Sequence, residues 1–216
     1  MNKYVLSFGL IFSLFSLTAR SQENCNLRRD GGGIKVYLCD SKLSDFKSII
    51  VELDMPATLS QYAAHVFAIE NYKFWHYKAI EPYLINQVSD TELYYYSEVE
   101  APWPVDNRDF IFHINMSQDS ITKVLTMSLT AMPDYLPKKE GVVRLSQGSA
   151  VLKVTPIDKN NLHVKYIIDL NPGGDIPAWI ANMFAAKAPW ETYNNFRNRI
   201  IAQGKNRITV PFIMDY

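Results

Sequence analysis

Residues 100–112 read Glu-Ala-Pro-Trp-Pro-Val-Asp-Asn-Arg-Asp-Phe-Ile-Phe, and they change from a proline-rich turn to a strand pattern. Two prolines flank Trp103, so this part is neither helix nor strand interior. Arg108 and Asp109 then open the strand, where adjacent side chains point to opposite faces. One of the two charges therefore points inward and needs a partner. The alternative is a surface turn with a solvated ion pair.

Strand patterns joined by short turns lie on both sides of this stretch, which predicts a mostly antiparallel sheet. A helical stripe at 59–69 and an aromatic-rich connector at 71–78 interrupt them. Gly148 predicts a bulge or bend inside one long strand. The predicted strands are 34–38, 46–53, 82–88, 93–100, 110–116, 124–131, 142–155 and 162–170.

A helical pattern with a wide apolar stripe runs from Pro177 to about Gln203. Pro177 suits a first helical turn, whereas Pro189 lies inside the pattern and is expected to kink the helix. A curled antiparallel sheet needs a cover for its concave face, and this helix is the candidate. The predicted class is therefore α+β. The apolar residues 208–216 predict no element.

The first residues have the pattern of an export signal. Lys3 precedes a short apolar run, and Ala19-Arg20-Ser21 fits a cleavage site. We therefore expect a signal peptide at 1–21, a single domain at 22–206 and a C-terminal tail at 207–216, in a periplasmic or secreted protein. The alternative, a retained membrane anchor, is less favoured because the apolar run is shorter than the ~20 residues of a span.

Two cysteines, Cys25 and Cys39, follow this segment. An exported chain allows them to form a disulfide, which would tie the N-terminal segment to the first strand. Two free thiols are the alternative, because sequence does not fix the distance that a disulfide requires.

Composition narrows the function classes. The 216 residues are 48% hydrophobic, enough for one domain with a substantial core, and the formal net charge of zero does not favour a nucleic-acid partner. The four histidines show no metal-ligand spacing, and the sequence has neither a Gly-x-Ser-x-Gly elbow nor a phosphate loop. We therefore expect no metal, cofactor or catalytic residue.

Several motifs, in this order, resemble the START family, the steroidogenic-acute-regulatory-related lipid-transfer domains. The resemblance covers about residues 30–199. The motifs are Gly33-Ile-Lys-Val-Tyr37, Trp75, Pro102-Trp-Pro-Val-Asp-Asn-Arg-Asp-Phe110, Val142-Val-Arg144 and Asn171-Pro-Gly-Gly-Asp-Ile-Pro-Ala-Trp179. The resemblance implies a helix-grip fold, in which a curved sheet wraps around the C-terminal helix and leaves an apolar tunnel for one lipid.

The resemblance also implies an inward acid–arginine pair. Arg108 matches the arginine of the family's Arg-Asp motif, and Glu81 matches its acidic position, so we expect a Glu81–Arg108 pair that orients a lipid's polar group. A purely structural ion pair is the alternative. The sequence departs from the family pattern at Pro82, beside Glu81, and in its export signal.

The expected function is the binding of one apolar lipid-like ligand, for carriage or sensing outside the cytoplasm, by a monomer that contacts a membrane transiently. The alternative is a hydrolase or cyclase-like enzyme that uses Glu81 or a cavity tyrosine as general acid or base. A closed apolar tunnel with one fixed ion pair would favour carriage, whereas an unpaired carboxylate beside a tyrosine would favour chemistry. The expected ligand-binding residues are Glu81, Arg108, Tyr95, Met127, Trp179, Met183, Phe184, Lys187 and Trp190.

Overall fold

The computed structural model describes residues 24–41, 46–174, 176, 178–204 and 208–216, without the side chains of 178–180, 182 and 183. The expected signal peptide, residues 1–21, lies outside this part of the chain. Within it, no helix is both long and apolar enough to cross a bilayer.

Ten strands form one curved sheet, in the order β1-β2-β3-β10-β9-β7-β6-β5-β4, and all neighbours along this path are antiparallel. The remaining strand, β8, pairs with β6 in parallel. The strands are β1 Cys25–Gly31, β2 Ile34–Cys39, β3 Ser48–Met55, β4 Ala79–Ser89, β5 Glu92–Val99, β6 Asn107–Gln118, β7 Leu125–Ala131, β8 Val142–Arg144, β9 Gln147–Asp158 and β10 Asn161–Asn171.

Two α-helices accompany the sheet. Helix α1, Leu59–Phe67, begins with a capping box in which Thr58 and Gln61 exchange hydrogen bonds, and a 3₁₀ helix follows at Ile69–Phe74. Helix α2, Ala178–Gln203, contains Pro189. The antiparallel sheet and the long C-terminal helix confirm the predicted helix-grip, α+β architecture.

The core lies between the inner face of the sheet and α2. Along β6 the residues at 110, 112, 114 and 116 belong to this core or pack against it, so the even positions face inward. Tyr193, Phe196 and Ile200 of α2 are buried against the same core. The apolar face of the sheet and the apolar stripe of α2 therefore pack against each other, as the sequence predicts.

Two details of the sheet differ from the prediction. The region 142–155 is not one strand, because Leu145 and Ser146 belong neither to β8 nor to β9 and separate the two strands. Gly148 is not at a bulge: it pairs in regular register with Leu170, where a Cβ atom would lie 2.6 Å from a methyl carbon of Leu170. The glycine is needed for close packing rather than for a bend.

The N-terminal strand β1 is a further difference, because no strand was predicted there. Cys25 pairs directly with Cys39 across β1 and β2, and a disulfide joins them. Of the two open alternatives for these cysteines, the structure therefore shows the disulfide.

Residues 208–216 pack on the domain. Val210 and Ile213 are buried in the core cluster, and the Asp215 carboxylate accepts a hydrogen bond of 2.9 Å from the backbone N–H of Ser60 in the first turn of α1. Gln118 exchanges two hydrogen bonds of 2.8 Å with the backbone of Met214. The tail thus links α1 to the end of β6.

Candidate functional site

The inner face of the sheet, α1, the 3₁₀ helix segment and α2 together line a cavity of about 60 Å³. Its walls are aliphatic and aromatic, with a few neutral polar groups and, in the described part of the chain, no charged side chain. The lining residues are Tyr62, Val66, Tyr72, Trp75, His76, Tyr95, Ile114, Met127, Leu129, Leu152, Tyr166, Thr192, Tyr193 and Phe196. Such walls suit an apolar molecule.

Most of the cavity hydroxyl groups bond within the protein. The Tyr62 and Tyr193 hydroxyls lie 3.3 Å apart, and the Tyr72 hydroxyl donates to the carbonyl of Val66 at 2.6 Å. Thr192 accepts a hydrogen bond from a backbone N–H at 3.0 Å. Burial raises the pKa of all three tyrosines above the ordinary value, so these hydroxyls stay protonated and neutral.

Two other polar groups in the cavity wall lack partners. Among the described residues, neither the indole Nε1 of Trp75 nor the imidazole Nδ1 of His76 has a hydrogen-bond partner, and both atoms are buried. Burial lowers the pKa of His76 to about 4, although a backbone hydrogen bond with Tyr77 opposes the shift, so the ring is neutral at physiological pH. Leaving a buried polar group unpaired costs about 1–3 kcal/mol, which makes both atoms candidates to meet a ligand.

Arg108 lies on the inner face of β6, two positions before Phe110, but it does not line the cavity. Its guanidinium donates to the carbonyl of Asp106, and its buried Nε has no partner in the described part of the chain. A Cβ atom on Gly174 would lie 3.7 Å from the Arg108 Nη2. The Arg-Asp and Asn-Pro-Gly-Gly motifs therefore meet beside this arginine. Burial lowers its pKa, although the nearby Asp106 opposes the shift.

The predicted Glu81–Arg108 pair is wrong. The Glu81 side chain is 68% exposed and pairs with Lys139 at 3.5 Å. The β4–β5 register shifts between Ile80 and Tyr83, and Glu81 has a positive φ of 49°. Pro82 has no N–H to donate to the hydrogen bonds between β4 and β5, and the register shift occurs at this proline. Glu81 therefore lies outside the cavity.

The buried ion pair of this region lies on the outer face of the sheet. Arg144 binds both carboxylate oxygens of Asp109, at 2.7 and 2.8 Å, and both side chains are almost fully buried. Hydrogen bonds with Asp109 raise the pKa of Arg144. The same guanidinium donates to the carbonyls of Pro133, Leu136 and Pro137. The pair therefore fastens the loop 132–141 to the back of the sheet.

The structure places the other predicted ligand-binding residues in different regions. Tyr95 and Met127 line the cavity. Trp190 donates from Nε1 to the carbonyl of Gly31 at 3.0 Å, away from the cavity lining. The exposed Lys187 and the half-buried Phe184 are also not among the lining residues. The remaining two, Trp179 and Met183, have side chains outside the described part of the structure.

Sequence reasoning missed part of the lining. Tyr62 and Tyr193 fall in the helical stripes and Tyr166 in an alternating strand pattern, and such patterns do not distinguish a lining residue from an ordinary core residue. Arg144 belongs to a quoted motif but received no role, although a lone arginine in an apolar strand pattern predicts a buried partner. His76 gave no signal beyond its aromatic neighbours.

Two relatives and two solved structures show what this chain is similar to. No family model matches the chain. It is 29% identical over 176 residues to an uncharacterised protein of Pseudomonas aeruginosa, which covers 82% of this chain and 86% of the relative. It is 34% identical over 165 residues to the phosphatidylcholine transfer protein of Homo sapiens. The aligned residues cover 72% of this chain and 73% of that protein.

Two solved structures of StAR-related lipid transfer proteins have the same fold as this chain. A STAR-related lipid transfer protein from Xanthomonas axonopodis superposes with a TM-score of 0.75 at 29% identity, covering 82% of this chain and 98% of that one. Human StAR-related lipid transfer protein 5 has a TM-score of 0.70 over 84% of this chain and 88% of that one, and at 14% identity it shows the fold alone. The chain belongs to the START family of StAR-related lipid transfer domains.

Proposed function

We propose that this protein binds one lipid-like molecule in the cavity between the sheet and α2 and carries it between donor and acceptor surfaces. The observation that carries the proposal is the cavity lining, which is aromatic and aliphatic and, among the described residues, contains no charged side chain. Burial of apolar ligand surface there is favourable by about 25 cal/mol per Å². The relative named a phosphatidylcholine transfer protein supports the same class of function.

Binding requires the cavity to widen. Ligand pockets usually measure about 300–1,000 Å³, and the cavity here is about 60 Å³. The loop 132–141 is held in place, because three of its carbonyls accept hydrogen bonds from the buried Arg144. Helix α2 is less restrained, because Pro189 removes a backbone hydrogen bond from its interior. We therefore assign ligand access to a displacement of α2.

Arg108 is the residue that we assign to a strongly polar, uncharged acceptor group of the ligand. Its Nε is unpaired among the described residues, and it lies on the inner face at the Gly174 end of β6. Replacing it with Leu is expected to change selectivity among lipid head groups. Arg197→Leu is the matched control, because Arg197 is an arginine bonded to the carbonyl of Gly32 outside the cavity. Unchanged selectivity in Arg108→Leu would refute the orienting role.

Carriage is better supported than catalysis. The enzyme alternative assigned acid–base work to Glu81, and that carboxylate is exposed and paired with Lys139. The cavity tyrosines Tyr62, Tyr72 and Tyr193 have raised pKa values, because burial disfavours their charged forms. A group that stays neutral serves as a hydrogen-bonding wall rather than as a base.

We further propose that the protein is a monomer that works outside the cytoplasm. The pattern of residues 1–21 supports export, and the Cys25–Cys39 disulfide fits an oxidising compartment. Fractionation of the producing cells, with detection of the processed chain, tests the location. Recovery of the protein only with cytoplasmic markers would refute it.

Transfer also requires contact with a membrane, and Trp103 is the residue that we assign to it. It is 92% exposed in the loop before β6, at the Arg108 end of the strand. Ile121 is 88% exposed beyond the other end of β6 and provides the matched control. Trp103→Ala is expected to slow lipid transfer between vesicles while Ile121→Ala does not. Equal rates in both variants would refute the assignment.

A further inference from the structure

Two residues of the cavity lining each carry a buried polar atom that the described part of the protein leaves unpaired. Trp75 is 7% exposed, and neither its Nε1 nor the Nδ1 of His76 meets a partner in the described part of the chain. The two rings are neighbours, with centroids 5.8 Å apart, and both line the cavity. They differ in this from the hydroxyls of Tyr62, Tyr72 and Tyr193, which bond within the protein.

The surrounding rings hold these two groups in place. The Tyr72 ring lies 4.5 Å from the Trp75 ring and is stacked at 6.1 Å on the ring of His76, and its own hydroxyl is fixed to the carbonyl of Val66. Phe196 of α2 also packs on Trp75, with ring centroids 4.7 Å apart. The indole N–H and the imidazole nitrogen are therefore presented by packed rings rather than by free side chains.

We infer that Trp75 and His76 form a subsite for the uncharged polar group of the ligand, a hydroxyl or a carbonyl, so that the ligand is a neutral lipid. The inference rests on the proposed lipid-binding function and names the ligand class for the same cavity. Trp75 supplies an N–H donor, and a neutral imidazole supplies either a donor or an acceptor. A hydroxyl or a carbonyl oxygen matches this pair.

A charged head group does not match the subsite. The cavity lining holds no acidic or basic side chain that would pair with a phosphate or an ammonium, and an unpaired charge is strongly disfavoured in apolar surroundings. Arg108 is a basic residue on the inner face of β6, but it lies beyond Phe110 and is not part of the cavity lining. A site that prefers neutral groups therefore discriminates against phospholipids at this position.

The test compares ligands that share one hydrocarbon chain. Hexadecan-1-ol, methyl palmitate, hexadecane and hexadecyl phosphate are presented singly, each in phosphatidylcholine vesicles. Native mass spectrometry of the protein, after removal of the vesicles, measures what is retained. We expect the alcohol and the ester to be retained about five- to tenfold better than hexadecane, since one net hydrogen bond contributes that factor. Hexadecyl phosphate and phosphatidylcholine are expected to be retained least.

Two variants test whether the preference for the alcohol over hexadecane depends on the indole N–H of Trp75. Trp75→Phe removes the N–H and keeps an aromatic ring, so the ratio of alcohol to hexadecane is expected to fall towards one. Trp190→Phe removes an indole N–H that donates to Gly31 outside the cavity lining, so its ratio is expected to match that of the unmodified protein. The ratio, rather than absolute retention, separates the lost hydrogen bond from any change in packing.

The outcomes are distinguishable. Preferential retention of hexadecyl phosphate or phosphatidylcholine overturns the inference and leaves lipid binding standing. The same holds if the alcohol and the ester gain nothing over hexadecane, or if Trp75→Phe keeps the full preference. Failure to retain any of these compounds overturns the proposed function together with the inference.

Discussion

Arg144 of β8 binds both carboxylate oxygens of Asp109 of β6, and the two side chains are 3% and 1% exposed. The guanidinium uses its remaining N–H groups on carbonyls of the loop 132–141, so its five donors all have acceptors. The pair lies on the outer face of the sheet, opposite the lipid cavity. Its role is therefore to hold a loop and a strand rather than to touch a ligand.

Asp109→Asn should destabilise the protein strongly. The substitution leaves the charge of Arg144 buried without its counter-charge, and breaking a buried pair in this way costs about 3–5 kcal/mol. The control is Asp54→Asn, because the Asp54–His163 pair is exposed and such pairs contribute at most about 1 kcal/mol. Urea unfolding of both variants measures the difference, and equal losses would show that the buried pair has no special role.

Removal of the disulfide should destabilise the N-terminal hairpin. The Cys25–Cys39 link joins residues 14 positions apart, and a loop of this length contributes about 3 kcal/mol through the unfolded chain. The double variant Cys25→Ser, Cys39→Ser is expected to unfold at lower urea, and a reductant should lower the midpoint of the unmodified protein alone. A midpoint that the reductant leaves unchanged would contradict the disulfide.

His76 should make the protein less stable as the pH falls. Above pH 6.5 the ring is neutral in both states and the free energy of unfolding is unaffected. Between pH 6.5 and about 4 the unfolded chain takes up a proton that the folded chain, with its lowered pKa, does not. The loss reaches roughly 3 kcal/mol at the acid end of this window.

His76→Phe isolates that effect. Carboxylates with lowered pKa values, such as Asp119 and Asp158, are present in both proteins and cancel in the comparison. The variant is expected to show a flatter dependence of the free energy of unfolding on pH between 6.5 and 4. Parallel curves for the two proteins over this window would refute the assignment.

The sequence predicted the architecture because alternation and helical periodicity are local signals. Residues 110–116 alternate in β6 as expected, and α2 runs where its apolar stripe predicted. The side-chain partners were harder to predict, since they depend on which strands meet. Glu81 faces outward because the β4 register shifts at its position, and no spacing in the sequence encodes that shift.

The packing of the C-terminal tail could not be predicted from the sequence pattern either. Residues 208–216 have no helical or strand period, so the pattern predicted no element, yet Ile213 is 8% exposed in the core. We expect Ile213→Ala to cost about 2–4 kcal/mol, as for other buried large-to-small changes. Ile121→Ala, at an 88% exposed position, should have almost no effect on the urea midpoint. Similar small effects would mean that the tail does not belong to the cooperative fold.

The central claim is that the cavity between the sheet and α2 holds a lipid. Native mass spectrometry, with solvent extraction, on protein purified from its producing cells without detergent tests this most directly. We expect one retained lipid per chain, displaced when competing lipid is supplied in vesicles. Protein that is empty as isolated and takes up neither a fluorescent sterol nor a fluorescent phospholipid would contradict it.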